Sequence, residues 1–166
     1  VGYQGDVPYF SGLGHAILLT KSWFKNQTPE AYGELQPDDT LIFLSDMIPV
    51  KDYRFIIEIL RQQDNDGVIG TMIVPDDKTQ FYGIVETNKE GYITDMKEKP
   101  KVTNSNEAIS GVYALKGRTM HRLYEIMEDQ YQGHQKEIET GHKDHMEFQF
   151  TPALQQLILE GFKIKS

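Results

Sequence analysis

The 166-residue sequence predicts one α/β domain, a mostly parallel mixed sheet with helices on both faces. Three observations predict it. Short apolar runs alternate with segments of helical spacing. The runs Thr40 to Asp46 and Val68 to Val74 are close to continuously apolar, as strands covered on both faces are. Turn residues fall at the boundaries, with Gly12 and Gly14 ahead of the first helical segment and Pro75 after the second strand.

Taken in order, Ala16, Ile17, Leu19, Trp23 and Phe24 give a helix opened by a glycine turn. Thr40 to Asp46 is a strand ending in an acid. Tyr53, Ile56, Ile57 and Leu60 share a helical face, with Asp52 placed as N-cap. The segments Tyr82 to Glu86 and Tyr92 to Lys97 flank Asn88-Lys89-Glu90-Gly91, a hairpin with Gly91 at the positive-φ position. Ala108 to Leu115 is a strand, and Met120, Leu123, Tyr124 and Met127 mark the next helix. Gln130 to Glu147 is polar and glycine-containing, and is expected to be loop. Thr151-Pro152 opens a last helix that Gly161 closes, and Phe162-Lys163-Ile164 begins a further strand.

Composition bounds the function. Apolar residues at 39% and charged residues at 25% describe a globular chain rather than a disordered one. No apolar run approaches the roughly 18 residues of a membrane span, and no secretory signal heads the chain, so a cytoplasmic protein without membrane partners is expected. The absence of cysteine excludes disulfides and thiolate metal sites. A net charge of −8 argues against a nucleic-acid partner, whose phosphates require a basic footprint. It leaves nucleotide binding open, and a homo-oligomer is compatible with the sequence.

Several clusters carry chemistry. Glycines before a helix, in Gln4-Gly5 and Gly12-Leu13-Gly14-His15-Ala16, allow backbone amides close to a phosphate or base, or simply make a turn. Asp46 stands at a strand's C-terminal end, where α/β sheets bind ligands; its carboxylate suits Mg²⁺ shared with phosphate, or caps the following turn. Glu98-Lys99-Pro100 pairs an acceptor for hydroxyls with a point charge for phosphate, or ends a strand in solvated charges. In the strand Ser105 to Tyr113, Gly111 permits a close backbone approach. His142-Lys143-Asp144-His145 supplies too few ligands for a zinc site and reads as solvated loop, and Tyr9-Phe10 and Trp23-Phe24 read as core.

In this order, Gln4-Gly5, Gly12 to Ala16, the Asp46 segment, Tyr82-Gly83-Ile84-Val85, Glu98-Lys99-Pro100 and Ser105 to Tyr113 resemble the motifs of the sugar-1-phosphate nucleotidyltransferases. They are most similar to those of bacterial-type UTP–glucose-1-phosphate uridylyltransferases. The resemblance runs from Gln4 to about Gly161. It implies a Rossmann-like sheet and transfer of a nucleotidyl group, from UTP, to glucose 1-phosphate with release of pyrophosphate. It implies that Gln4 and Gly12 contact the base and that Asp46 holds the Mg²⁺ cofactor. It further implies that Gly83 and Ile109 contribute backbone to the sugar pocket, that Glu98 binds sugar hydroxyls, and that Lys99 neutralises the sugar phosphate. Glu147 matches a family acid before the last helix. Lys99 and Asp46 are thus the catalytic candidates. Such chemistry requires positioning and charge stabilisation rather than a protein nucleophile.

The family's glycine-rich Gly-x-Gly-Thr-Arg-x-x-Pro loop and its second metal-binding Asp have no counterpart here, and no initiator Met heads the chain. Ser45 and Pro152 also depart from the pattern. The expectation is that residues 1–166 form the central part of a single domain, inactive alone. A non-catalytic sugar-nucleotide-binding or regulatory domain on the same fold is the alternative. A glycosyltransferase is disfavoured because Met47-Ile48 follows Asp46 where an Asp-x-Asp pair belongs.

Overall fold

A computed structural model describes residues 12–22, 39–45, 54–62, 64–140 and 147–166. Helix α1 spans Leu13–Leu19, strand β1 Asp39–Phe43, helix α2 Arg54–Arg61 and strand β2 Gly67–Ile73. A 3-10 turn over Asp76–Phe81 leads to the hairpin of β3 (Gly83–Thr87) and β4 (Ile93–Glu98). Strand β5 (Glu107–Lys116), helix α3 (Gly117–Glu139), helix α4 (Thr151–Leu159) and strand β6 (Ile164–Lys165) complete the order. Among the described residues no helix is long and apolar enough to cross a membrane.

The sheet is organised by β5. Along one edge β5 pairs with β2, from Glu107 to Ile109 and again from Val112 to Leu115. Along the other, β3 pairs with Ala108 and Glu107, and β1 takes over from Val112 to Lys116. The changeover coincides with a bulge. The β2 register steps from Gly70↔Val112 to Thr71↔Ile109, leaving Ser110 and Gly111 outside the ladder. Gly111 has φ +80, which a β-carbon would strain, and its carbonyl accepts the Leu44 amide at 3.0 Å. The sheet therefore forks at Gly111.

Helices cover both faces, as the sequence predicts. Below the sheet Ile56 and Leu60 of α2 pack on Val68, Val112 and Ala114. Above it, Leu123 and Met127 of α3 and Leu154 and Leu157 of α4 meet Ile69, Tyr113 and Leu115, all nearly or fully buried. The alternation of β5 side chains between these clusters follows from the two-residue period of a strand. The sheet order is β4-β3-β5-β2-β6, and the far end of the hairpin returns to β6 through a bridge from Tyr92 to Lys165.

The mixed sheet is present, but the expected parallel majority is not found among the described strands, where only β2 and β6 pair in parallel. The reason is topological. β1 and β2 both run antiparallel to β5, so they are parallel to each other without touching. Apolar runs report burial and cannot report which strand lies between two others. The covering of β1 on both faces is also corrected, since Leu41 and Phe43 are 39% and 41% exposed.

The expected loop from Gln130 is helix as far as Glu139. Its polar residues disguise one packing stripe: Tyr131 stacks on His15 and meets Phe148 edge-on, with centroids 5.6 and 5.4 Å apart. Residues 141–146, including His142 and His145, lie outside the described residues, as do Asp52, Tyr53, Tyr9-Phe10 and Trp23-Phe24. The hairpin is as read: Gly91 has φ +79, and the Asn88 side-chain oxygen accepts the Glu90 and Tyr92 amides at 3.1 and 2.9 Å. At the end of α4, Gly161 at φ +90 lets the Phe162 and Gly161 amides reach the carbonyls of Leu157 and Ile158, a Schellman closure.

Asp66 ties three elements at the start of β2. Its carboxylate accepts Arg118 Nε at 2.9 Å and the Lys163 amide at 2.8 Å, while its carbonyl accepts the Thr119 hydroxyl at 2.9 Å. Charge-assisted bonds of this kind hold α3 and β6 to the sheet.

Helix α1 is seated by contact at Gly14, whose amide bonds the Phe148 carbonyl at 3.0 Å. A β-carbon there would meet backbone oxygens of Phe148 and Gln149 at 2.7 and 2.8 Å, whereas one at Gly133 meets nothing within 4 Å. Chemical denaturation of Gly14→Ala and Gly133→Ala is expected to move in opposite directions. Gly14→Ala loses on the order of 1–3 kcal/mol through forced displacement of α1. Gly133→Ala gains about 0.5–1 kcal/mol from helix propensity and a less flexible unfolded chain.

Candidate functional site

The hairpin register sets Gly83 opposite Glu98. Val85 and Met96, two residues along each strand, belong to the core above the sheet, so Gly83 and Glu98 face the same side. Ile109 reaches this side from β5 and Thr151 from the start of α4. A β-carbon on Gly83 would lie 2.9 Å from Ile109 Cδ1, 3.0 Å from Thr151 Oγ1 and 3.3 Å from Glu98 Oε2. Glycine thus lets one aliphatic side chain, one hydroxyl and one carboxylate close in over its α-carbon, where a β-carbon has no room.

Glu98 is held within this cluster. Its Oε2 accepts the Thr151 hydroxyl at 2.6 Å, and its side chain is 21% exposed. Lys99 follows with φ +44, a left-handed conformation uncommon for a residue with a β-carbon, and its amide bonds the Tyr82 carbonyl at 3.0 Å. The Lys99 ammonium lies 3.8 Å from Glu98 Oε1 and 3.8 Å from Glu147 Oε2. With Lys99 half exposed, these are long, solvent-screened pairs that leave the cation available to a stronger anionic partner.

Glu147 also accepts Gln149 Nε2 at 3.0 Å, and with Gln130, His134, Glu137 and Phe148 it lines an adjoining cavity of about 370 Å³. Gly12, at φ +108, packs against the same segment: its absent β-carbon would fall 2.9 Å from the Phe148 carbonyl and 3.1 Å from Glu147 Cβ.

The structure therefore gathers Gly83, Glu98, Lys99, Ile109, Glu147 and Gly12 into one neighbourhood drawn from separate elements. Gln4 and Asp46 lie outside the described residues. Among the described residues no group of three acidic or imidazole side chains is placed to hold a metal ion.

Two residues of the site were not singled out from the sequence. Thr151 looked like part of a helix start, and only the folded hairpin brings Glu98 to it. Tyr113 looked like a strand residue. Its phenol is buried, and burial first, then the nearby Glu98 carboxylate, pushes its ionisation up from the ordinary tyrosine range. It packs edge-on against Phe150, with ring centroids 5.1 Å apart.

The sequence profile of the nucleotidyl transferase family matches residues 7–149. The chain belongs to that family. Its relatives include the glucose-1-phosphate adenylyltransferase of Bacillus licheniformis, 29% identical over 137 residues that make up 82% of this chain and 32% of that one. The enzyme of the same name from Desulforamulus reducens is 32% identical over 105 residues, 63% of this chain and 24% of that one. Among solved structures, UDP-glucose pyrophosphorylase complexed with UDP-glucose superposes with a TM-score of 0.65 at 20% identity, covering 95% of this chain and 54% of that chain. The apo form of a UDP-glucose pyrophosphorylase gives 0.62 at 22% identity, covering 92% and 50%. This nucleotidyl transferase chain thus spans a third or less of those curated relatives and about half of those solved chains.

In this family member the backbone of Lys99 is the strained point of the site, and the strain is testable apart from any ligand. Holding a non-glycine residue there costs on the order of 1–3 kcal/mol. Lys99→Gly is expected to unfold at a higher thermal midpoint than Lys99→Ala, which keeps the β-carbon and loses the same charge. Equal midpoints would show that the surrounding loop already accommodates the positive φ.

Proposed function

We propose that this chain forms the sugar-1-phosphate pocket of an enzyme that joins UTP to glucose 1-phosphate and releases pyrophosphate. The observation that carries the reading is the convergence of groups over Gly83, where Glu98 Oε2 lies 3.3 Å from the position a β-carbon would take and Lys99 Nζ lies 3.8 Å from the other carboxylate oxygen. A carboxylate with lone pairs to spare accepts sugar hydroxyls, and an adjacent ammonium neutralises a phosphate as a point charge. The backbones of Gly83 and Ile109 complete the pocket wall, with Glu147 beside Lys99.

On this reading the phosphate oxygen of the sugar attacks the α-phosphorus, the bond to the pyrophosphate breaks, and pyrophosphate leaves with the charge. The chain's own part is orientation and charge compensation, which suffices for phosphoryl-type transfer. Mg²⁺, when bound with the triphosphate, supplies further charge neutralisation, and Asp46 is the residue proposed to share it with phosphate oxygens. Gln4 and Gly12 are proposed to meet the base. The choice of UTP rests on the Gly12 to Ala16 segment, and glucose 1-phosphate is named for the adenylyltransferase relatives as well.

Calorimetric titration of the chain with UDP-glucose and with ADP-glucose tests the reading. UDP-glucose is expected to bind more tightly, and Glu98→Ala to weaken it about 10–100-fold, the worth of one or more hydrogen bonds to a charged group. Preference for ADP-glucose would reassign the base, and a Glu98→Ala protein that binds normally would remove the sugar role. Pyrophosphate release from UTP and glucose 1-phosphate, measured on the chain within its full-length protein, separates an enzyme from a binding module.

A further inference from the structure

We propose that Thr151 is a positioning residue that holds the Glu98 carboxylate in place beside Gly83, acting with Gln155 one helical turn further along α4. The inference deepens the sugar-pocket reading and rests on it.

Thr151 is 6% exposed, and its hydroxyl donates to Glu98 Oε2 at 2.6 Å, the short distance of a bond to an ionised acceptor. A threonine at a helix start commonly turns its hydroxyl onto the helix's own amides. Here it does not. Phe150 occupies the cap, there is no side-chain cap bond, and the Ala153 and Leu154 amides are taken by the Phe150 carbonyl at 3.1 and 3.3 Å. The hydroxyl is thus directed across to another element.

Gln155 repeats the pattern, since its Oε1 accepts the Met96 amide at 2.6 Å. Side chains at i and i+4 lie on one face of a helix, so one face of α4 grips β4 at both Met96 and Glu98. The helix is itself immobilised, with Ala153, Leu154 and Leu157 fully buried. The threonine adds stiffness because its branched β-carbon restricts χ1. One carboxylate oxygen, Oε2, is therefore fixed beside Gly83 by a rigid donor, and the other, Oε1, is left toward Lys99. Without the donor, Glu98 regains rotamers and is free to turn toward the Lys99 ammonium instead.

The test uses the unmodified chain, Thr151→Val and Thr151→Ser, titrated with UDP-glucose and ADP-glucose and, separately, with UDP and ADP. Thr151→Val is expected to weaken the sugar nucleotide at least tenfold while leaving the bare diphosphate within about threefold, and Thr151→Ser to restore most of the loss. In a Glu98→Ala background Thr151→Val is expected to cost nothing more, because its target is gone. A merely structural threonine would weaken both ligands together and keep its cost in that background. Either result overturns the proposal, as does unchanged sugar-nucleotide affinity in Thr151→Val. Failure of the unmodified chain to bind any sugar nucleotide overturns the pocket reading itself and this inference with it. If Thr151→Val does not fold, Thr151→Ala, which removes the hydroxyl without adding a buried methyl, is read by the same criteria.

Discussion

Strand β5 is hydrogen-bonded along both edges, yet it has three partners, and the place where one edge changes partner fixes nearly everything around it. A ladder with an uninterrupted register would keep β1 or β3 alongside for the full length. The two residues that drop out at Ser110 and Gly111 let β1 hold the later half and β3 the earlier half. Because Gly111 adopts φ +80, the bulge also turns its carbonyl to the Leu44 amide just past β1. The hairpin of β3 and β4 consequently joins β5 on the earlier side of the fork, and Gly83 at its start meets Ile109 there.

The site is made of absences as much as of side chains. Gly83 lacks a β-carbon where three groups converge, and Gly12 and Gly14 lack one where α1 meets the Glu147 segment. Charged residues then sit at the rim, with Glu98 partly sheltered and Lys99 half exposed. Sheltering lowers the effective dielectric around the carboxylate and strengthens each hydrogen bond made there. Tyr113 reports the same environment from the same side of the sheet, since burial and then the Glu98 charge both make its phenol harder to ionise.

Local chemistry was legible in the sequence, and long-range pairing was not. The Asn88 to Gly91 turn, the Thr151-Pro152 helix start and the Gly161 helix stop each follow from residues within a few positions of one another. The motif order also brought Gly83, Glu98, Lys99 and Ile109 to notice, although their meeting depends on the hairpin register. The direction of β5 relative to β2 escaped notice because apolar periodicity is blind to which neighbour a strand selects. The helical continuation past Gln130 escaped for a different reason: its stripe consists of Tyr131 and His134 facing Phe148, an amphipathic pair of ring systems in a polar background. Thr151 could not be separated from a capping residue until its hydroxyl was seen crossing to Glu98.

The glutamine on α4 also bears on how this chain meets other copies of itself. Among the described strands β4 ends the sheet order, and an end strand offers free amides to any extended peptide that drifts alongside. The Met96 amide is already taken by Gln155, and Lys97 is paired with Asp95 at 2.9 Å on the same strand. An incoming strand would have to displace the first and desolvate the second. Fibril growth by addition at β4 is thereby opposed by the helix that orders the pocket.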